Sequence, residues 1–454
     1  MIELSTNKNF NYERMDDSDD DEIYRATSRR NIKPNKTIFK KLQPFLIVLF
    51  LLTILVIIVF ITIGVVMAYE RPANYTGHKV YKLLPLSIRD LNAIIGIEKK
   101  YQDPLEPVLI QISSPEEETL IKEELTQLNI NFTVSIEDLQ KAIEEERVEH
   151  QKHSNETEFN FSRYHTYYEI MEFLENNVIK SDFVNIDSIG KSFEGRKIPI
   201  IRISSDLKNN TKPVILIDSL IHSKEWVTGS TTLHIMNQLI ANQSLRYLIE
   251  NFEFNLIPIF NPDGYAYSWR SDRLWRKSRS FSITSFLCRG VDLNRNFETN
   301  FGTESDEELN SCSDYYSGDY PYSEPEVIAF REFTFKLSLT NRLKAYFSLH
   351  SFKQQILYPS DEYNQEFAEN STELQNLAQL AANAIHSHSE SAYGSSIDWI
   401  HNHLKVKTSF EFKLRDLGEF GYLLPKEMIV PTAQEVLEAI KAILNSSQFV
   451  QTLN

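Results

Sequence analysis

PVILIDSLIHSKEW, residues 213–226, decides the architecture. Val214 to Ile217 is an unbroken apolar run with no alternation of polar residues. Such a run, bounded by Pro213 on one side and a polar turn on the other, reads as a strand buried on both faces of an α/β sheet. The turn that follows carries His222 and Glu225, three residues apart. A second apolar run, LKAYFSLHS at 343–351, ends on His350. Sites in open α/β sheets lie at strand ends. Two imidazoles and one carboxylate with a fourth position open form a catalytic zinc set. Imidazole and carboxylate suit zinc, and no cysteine pair is at hand for a purely structural site. H-x-x-E alone is a weak motif, because a single match is more often a core or surface histidine, so the weight rests on what surrounds it.

A third stretch, SFEFKLRDLGEFGYLLP at 409–425, begins with strict alternation. Phe410, Phe412 and Leu414 define one face, and Glu411, Lys413 and Arg415 the other. The charged face looks either at water or into a site. Between these stretches, from Phe159 to about Ser446, helices and strands alternate, and PTAQEVLEAIKAILNS near the end reads as an amphipathic helix.

The chain of 454 residues is long enough for two or three folded units. Its net charge of −16, with no basic patch away from the apolar segment described next, argues against nucleic acid as a partner. Phe45 to Tyr69 is uncharged. As a helix it measures about 37 Å, enough to cross a hydrocarbon core of about 30 Å with some tilt. It is too long and too far from Met1 to be a cleaved signal peptide. Arg25, Arg29, Arg30, Lys33, Lys36, Lys40 and Lys41 precede it, whereas Arg71, Lys79 and Lys82 follow. The positive-inside bias predicts a cytoplasmic N-terminus and an extracellular or lumenal C-terminal part, a single-pass type II arrangement. The tail 1–44, with its acidic run DDSDDDE at 16–22, is expected to be disordered. Sequons at Asn74, Asn131, Asn155, Asn160, Asn209, Asn242, Asn370 and Asn445 all follow the apolar segment. Asn35 precedes it and is expected to stay bare. The only cysteines, Cys288 and Cys312, are on the same side, where an oxidising compartment permits a bridge.

Residues 75–152 read as a small α+β unit. HKVYKLLPL, PVLIQIS and INFTVSI are strands, SSPEEETLIKEELTQLN is a helix capped by Ser114, and EDLQKAIEEERVEHQK is a second helix. The polar stretch 149–158 reads as an exposed linker.

Five motifs then fall in order: HSKEWVTGS, FNPDGYAYSWRSDRLWRKSRS, GVDLNRNF, SLHSFKQQILYPS and SFEFKLRDLGEFGYLLP. Together they resemble the zinc metallocarboxypeptidases of the pancreatic A/B type over about 290 residues, 159–446. The resemblance implies a mixed eight-stranded sheet flanked by helices and one zinc ion held by His222, Glu225 and His350. It implies that Asn294 and Arg295 take the C-terminal carboxylate of a peptide, a role that suits a bidentate guanidinium. It also implies that Arg276 stabilises the developing oxyanion. It places Ile397, in SSIDWI, at the bottom of the specificity pocket, favouring an apolar C-terminal side chain. It pairs Cys288 with Cys312 and makes 75–152 an activation-domain-like unit, with Arg147 and Lys152 as cleavage points.

The pattern breaks at one position. In the family the third stretch reads S-F-x-F-E-L-R-D, and its glutamate faces the zinc-bound water as general base. Here that position is Lys413, with Phe412, Leu414, Arg415 and Asp416 matching around it. A protonated lysine accepts no proton and adds a positive charge beside the metal. Glu411 is two residues away, about 6.5–7 Å along a strand, too far to stand in directly; it is expected to pair with Lys413 or Arg415. Lys224 replaces the family's arginine between the zinc histidine and glutamate, losing the fork geometry. The segment before SSIDWI is short, and Tyr393 has no assigned role in it. Two readings follow: a working membrane-anchored carboxypeptidase that uses an unusual base or zinc alone, and a non-catalytic peptide-binding ectodomain at the cell surface; Lys413 argues for reduced or absent turnover. A structural or adhesive ectodomain is a third.

Overall fold

The structure, a computed structural model, describes residues 36–68, 72–84, 104–105, 109–153, 158–178, 183–209, 211–281, 288–299, 301–302, 306–359, 368–392 and 394–453. The acidic run 16–22, Asn35, Asn155 and Tyr393 lie outside them. The chain divides into two units, 1–70 and 71–454.

Among the described residues, the first unit contains one helix, Lys36–Ala68. It is long and apolar enough to cross a bilayer, and the side chains of its 43–60 segment are exposed. The helix starts at Lys36 rather than Phe45, taking in the basic flank and Pro44.

The second unit begins with a four-stranded antiparallel sheet. Its strands are β1 (Lys79–Leu84), β2 (Pro104–Leu105), β3 (Leu109–Ile112) and β4 (Asn131–Ile136), in the order β2-β3-β1-β4. Two helices complete it. Pro115–Leu128 is capped by the Ser114 side chain, which accepts from Glu117 N–H, and carries Glu116, Glu117 and Glu118 in its first turn. Leu139–Lys152 is capped by Asp138. This last helix runs into the stretch expected to be a linker, because His150 packs on the Trp269 ring at 4.5 Å between centroids.

The larger sheet has eight strands: β5 (Val184–Lys191), β6 (Lys197–Ile203), β7 (Val214–Ser219), β8 (Glu253–Ile257), β9 (Leu343–Ser351), β10 (Gln355–Pro359), β11 (His388–Ala392) and β12 (Thr408–Leu414). Their order is β11-β10-β12-β9-β7-β8-β6-β5. β12, β9, β7 and β8 run parallel in the centre, and antiparallel pairs flank them. The unbroken apolar runs are explained by burial on both faces. Ile215, Ile217, Phe347, Phe410 and Phe412 pack towards Ile440 and Ile443 of the helix Ile429–Leu444. Val214, Leu216 and Tyr346 pack on the other side, towards Phe330, Ile397 and Trp399.

The two sheets of this unit share an interface. Val80, Leu109, Leu139 and Ile143 form one apolar cluster with Phe352 and Tyr422. Around it Arg273 pairs with Glu146, Lys82 with Glu419 at 2.6 Å, and Lys426 with Glu149. Arg273 also donates to the carbonyls of Lys224 and Tyr422, at 2.8 and 2.7 Å, and lies 3.7 Å from the centre of the Trp226 ring.

One buried acid predicts a pH effect on stability. Glu326, in the first turn of the helix Pro325–Ser338, is fully buried; one carboxylate oxygen accepts from Phe193 N–H and the other has no partner. Burial, followed by the Glu324 carboxylate, raises it to about 8. Between its ordinary value and about 8 the folded chain holds a proton that the unfolded chain releases. Stability therefore falls as pH rises through that window, by about 1.4 kcal/mol per unit. Glu326→Gln should remove this fall, so urea unfolding curves of variant and wild type should diverge steadily from pH 5 to pH 8. Parallel curves would show that Glu326 does not titrate there.

Candidate metal centre

β7 leaves the sheet through Leu220, whose φ of 55° is left-handed and turns the chain sharply. The loop is pinned on both sides. Leu220 N–H donates to Thr228 Oγ1 at 3.0 Å, Ser223 N–H to the Arg276 carbonyl at 3.1 Å, and Asn261 Nδ2 to the Ile221 carbonyl at 3.3 Å. Glu225 then occupies the position before the helix Trp226–Ala241, with its side chain free of any capping bond and turned to the histidines. This loop and the end of β9 bring His222, Glu225 and His350 together, each at least 97% buried.

Their ligand atoms lie within 4.8 Å of one another. His222 Nδ1 is 2.9 Å from Glu225 Oε1, and His350 Nδ1 is 3.1 Å from His222 Nδ1 and 3.3 Å from Glu225 Oε2. The opposite ring nitrogens have acceptors of their own. His222 Nε2 faces Asp292 Oδ1 at 3.1 Å, and His350 Nε2 faces Ser348 Oγ at 3.2 Å. With each Nε2 carrying the proton, both Nδ1 lone pairs converge with the Glu225 carboxylate, whose Oε2 also accepts from Ser351 N–H at 3.2 Å. A cation suits such a set, and metal–ligand bonds of about 2.0–2.2 Å fit these spacings. The same demand shows in the titration of His350. Burial lowers it, but Glu411 and Glu225 outweigh that and raise it to about 9.

Behind the ligands lies Asp292, fully buried. It accepts from Arg276 Nε at 3.0 Å and Nη2 at 2.9 Å, and from Asn294 N–H at 3.0 Å. Burial would raise its carboxyl, but the Arg276 guanidinium, then His222, hold it well below the usual range. Arg276 is thus a buried member of the site, also 4.9 Å from the centre of the Tyr315 ring. Asn294 Oδ1 accepts from Ser396 N–H at 3.0 Å, and Arg295 Nη1 donates to the Gly394 carbonyl at 3.1 Å. The segment 394–396 is therefore fastened to Asn294 and Arg295. Ile397, next in the chain, is fully buried in the second core cluster. Lys224 is buried too, 3.6 Å from Asp314 and 4.5 Å from the centre of the Tyr422 ring.

β12 runs along the edge of this site, and Glu411 of its charged face reaches into it. In the parallel register with β9, Lys413 lies beside His350 and Glu411 beside Ser348. Glu411 does not pair with Lys413 or Arg415. Its Oε2 lies 3.6 Å from His350 Nε2, while Arg415, just past the strand end, reaches Glu435 on the helix Ile429–Leu444 at 2.9 Å. The alternation lapses at Leu414, where the strand stops. Cys288 and Cys312 form a disulfide. Asn74, Asn131, Asn160, Asn209, Asn242 and Asn445 are exposed, as glycosylation requires. The side chain of Asn370 lies outside the described residues.

Sequence reasoning missed Asp292, Ser348 and Arg273 as parts of the site. Asp292 stands inside the quoted GVDLNRNF, directly before the clamp residues, which was a usable signal.

The sequence pattern of the zinc carboxypeptidases (peptidase M14) matches residues 168–439. Carboxypeptidase A2 of Mus musculus is 32% identical over 404 residues, covering 82% of this chain and 94% of its own. Carboxypeptidase A5 of Homo sapiens is 33% identical over 403 residues, covering 82% and 90%. Among solved structures, thrombin-activatable fibrinolysis inhibitor aligns with a TM-score of 0.70 at 29% identity, over 81% of this chain and 98% of that one. Carboxypeptidase A from Helicoverpa armigera aligns with a TM-score of 0.71 at 27% identity, over 84% and 99%.

Proposed function

From the premise that this chain belongs to the zinc carboxypeptidase family, we propose that residues 159–446 form a zinc-bearing domain that binds peptide C-termini and cleaves them slowly or not at all. The observation that carries this is Lys413, side by side with the ligand His350 at the position of the general base.

His222, Glu225 and His350 would hold the ion. When bound, zinc polarises a carbonyl and lowers the pKa of a water. Asn294 and Arg295 receive the terminal carboxylate, and Arg276, fixed by Asp292, offers positive charge to a developing oxyanion. Ile397 favours an apolar C-terminal side chain. Lys413, as an ammonium, cannot take the proton that hydrolysis must remove, so binding survives where turnover does not. Residues 75–152 act as an activation-domain-like cover, and the helix Lys36–Ala68 anchors the chain in type II orientation with a glycosylated ectodomain.

The test uses detergent-solubilised full-length protein, cut with trypsin at Arg147 or Lys152 and assayed for zinc. A peptide ending in free Phe or Leu should bind, its C-terminal amide should not, and release of the last residue should be slow. Equal binding of acid and amide would remove the carboxylate clamp. Rapid, chelator-sensitive release by wild type would remove the non-catalytic reading.

A further inference from the structure

We propose that Glu411 is a positioning residue that lets this site keep a divalent cation beside Lys413. The proposal rests on the zinc reading above. Lys413 brings a positive charge to the strand position next to His350, and like charge disfavours a bound dication. Glu411 projects from the same face of β12, one pleat earlier. Its Oε2 lies 3.6 Å from His350 Nε2, on the far side of the ring from the metal-facing Nδ1.

That nitrogen is also 3.2 Å from Ser348 Oγ, whose hydroxyl in turn reaches Asp218 Oδ1 at 3.0 Å. The serine proton is directed at Asp218, so the serine lone pairs face His350 and require N–H at Nε2. Nδ1 is left as a bare lone pair. His222 differs in having its carboxylate, Asp292, at hydrogen-bond distance, 3.1 Å from Nε2. Behind His350 the acceptor that orients the ring is Ser348, and Glu411, beyond hydrogen-bond reach, adds its negative charge to the back of the ring.

The two carboxylates differ in what else they serve. Asp292 neutralises Arg276. Among the described residues, no lysine or arginine pairs with Glu411. It is 94% buried, so its charge is weakly screened and acts on His350 and whatever His350 binds. Charge at 411 thus offsets charge at 413. The acid missing from the base position has a counterpart behind the ligand, where it supports the metal and performs no proton transfer.

The measurement is the zinc dissociation constant of full-length protein in detergent, by competition with a chromogenic chelator. Glu411→Gln should weaken zinc binding by about 10–100-fold, the range for loss of such a partner. Adding Lys413→Glu to that variant should recover most of the loss, and Lys413→Glu alone should tighten binding. A merely structural role would not be rescued by a charge change two residues away. An unchanged constant in Glu411→Gln, or a loss that Lys413→Glu fails to recover, overturns the proposal. If Glu411→Gln does not fold, Lys413→Glu alone decides: no tightening overturns it. Wild type that takes up no zinc removes the underlying reading as well, so the two failures are distinct.

Discussion

Lys413→Glu should raise the rate of C-terminal residue release by about 10²–10⁴-fold, the usual worth of a general acid–base. The other residues proposed for that reaction are assembled around the position. The ligand trio converges with lone pairs inward, Asp292 fixes both His222 and Arg276, and Asn294 and Arg295 stand against 394–396. The backbone of β12 already sets position 413 beside His350, so the new carboxylate arrives on the correct face without a shift of register. The assay is release of Phe or Leu from a short peptide by trypsin-treated protein, wild type and variant side by side. The gain should vanish with a zinc chelator. A variant as silent as wild type, with zinc bound in both, would mean that Lys413 is not the principal lesion and that the altered Lys224 or the shortened segment before SSIDWI matters more.

Arg276→Met should cost about 3–5 kcal/mol of stability, because it strands a buried carboxylate. Asp292 is enclosed and takes two hydrogen bonds from the guanidinium. Without them Asp292 is left with His222 at 3.1 Å and the more distant charge of Arg295, and drawing His222 into an imidazolium would remove it from the metal. One substitution should therefore lower the unfolding free energy and weaken zinc binding together. Urea unfolding at neutral pH measures the first effect. Asp292→Asn in the same chain should return much of the lost stability, since it removes the orphaned charge; failure to do so would show that Arg276 acts through packing instead.

Much of this arrangement is legible in the sequence because it depends on local rules. Unbroken apolar runs mark β7 and β9, alternation marks β12, and Ser114 with three acids marks a helix start. The ligand trio is readable because each member sits at the end of such a run. The partners behind the ligands are not readable this way. That Glu411 meets His350 follows from the parallel register of β12 on β9, which places residues about sixty positions apart side by side. The expectation that Glu411 pairs with Lys413 or Arg415 considered one strand alone, and Arg415 in fact turns away to a helix. Arg273 escaped notice for a related reason. Its partners Glu146, Lys224 and Tyr422 come from three distant segments.

The hold of the helix Leu139–Lys152 on the larger sheet governs how the domain could be shed. Arg147 and Lys152 lie after the apolar helix and before residues 159–446, so a cut at either would break the covalent link between them. The two cysteines are bonded to each other, so no disulfide bridges the cut. What remains is the apolar cluster around Phe352 and Tyr422, hydrogen bonds such as Tyr75 Oη to Asp272 at 2.7 Å and Ser135 Oγ to the Gly418 carbonyl at 2.9 Å, and the ion pairs. A cut after Lys152 leaves all three in place: Glu146 on Arg273, Lys82 on Glu419 and Glu149 on Lys426. A cut after Arg147 puts Glu149 on the domain's own side and leaves two. If the chain is cut at either point, the two parts would stay together until this interface dissociates, so their separation would be timed by an off-rate that rises with salt rather than by the protease.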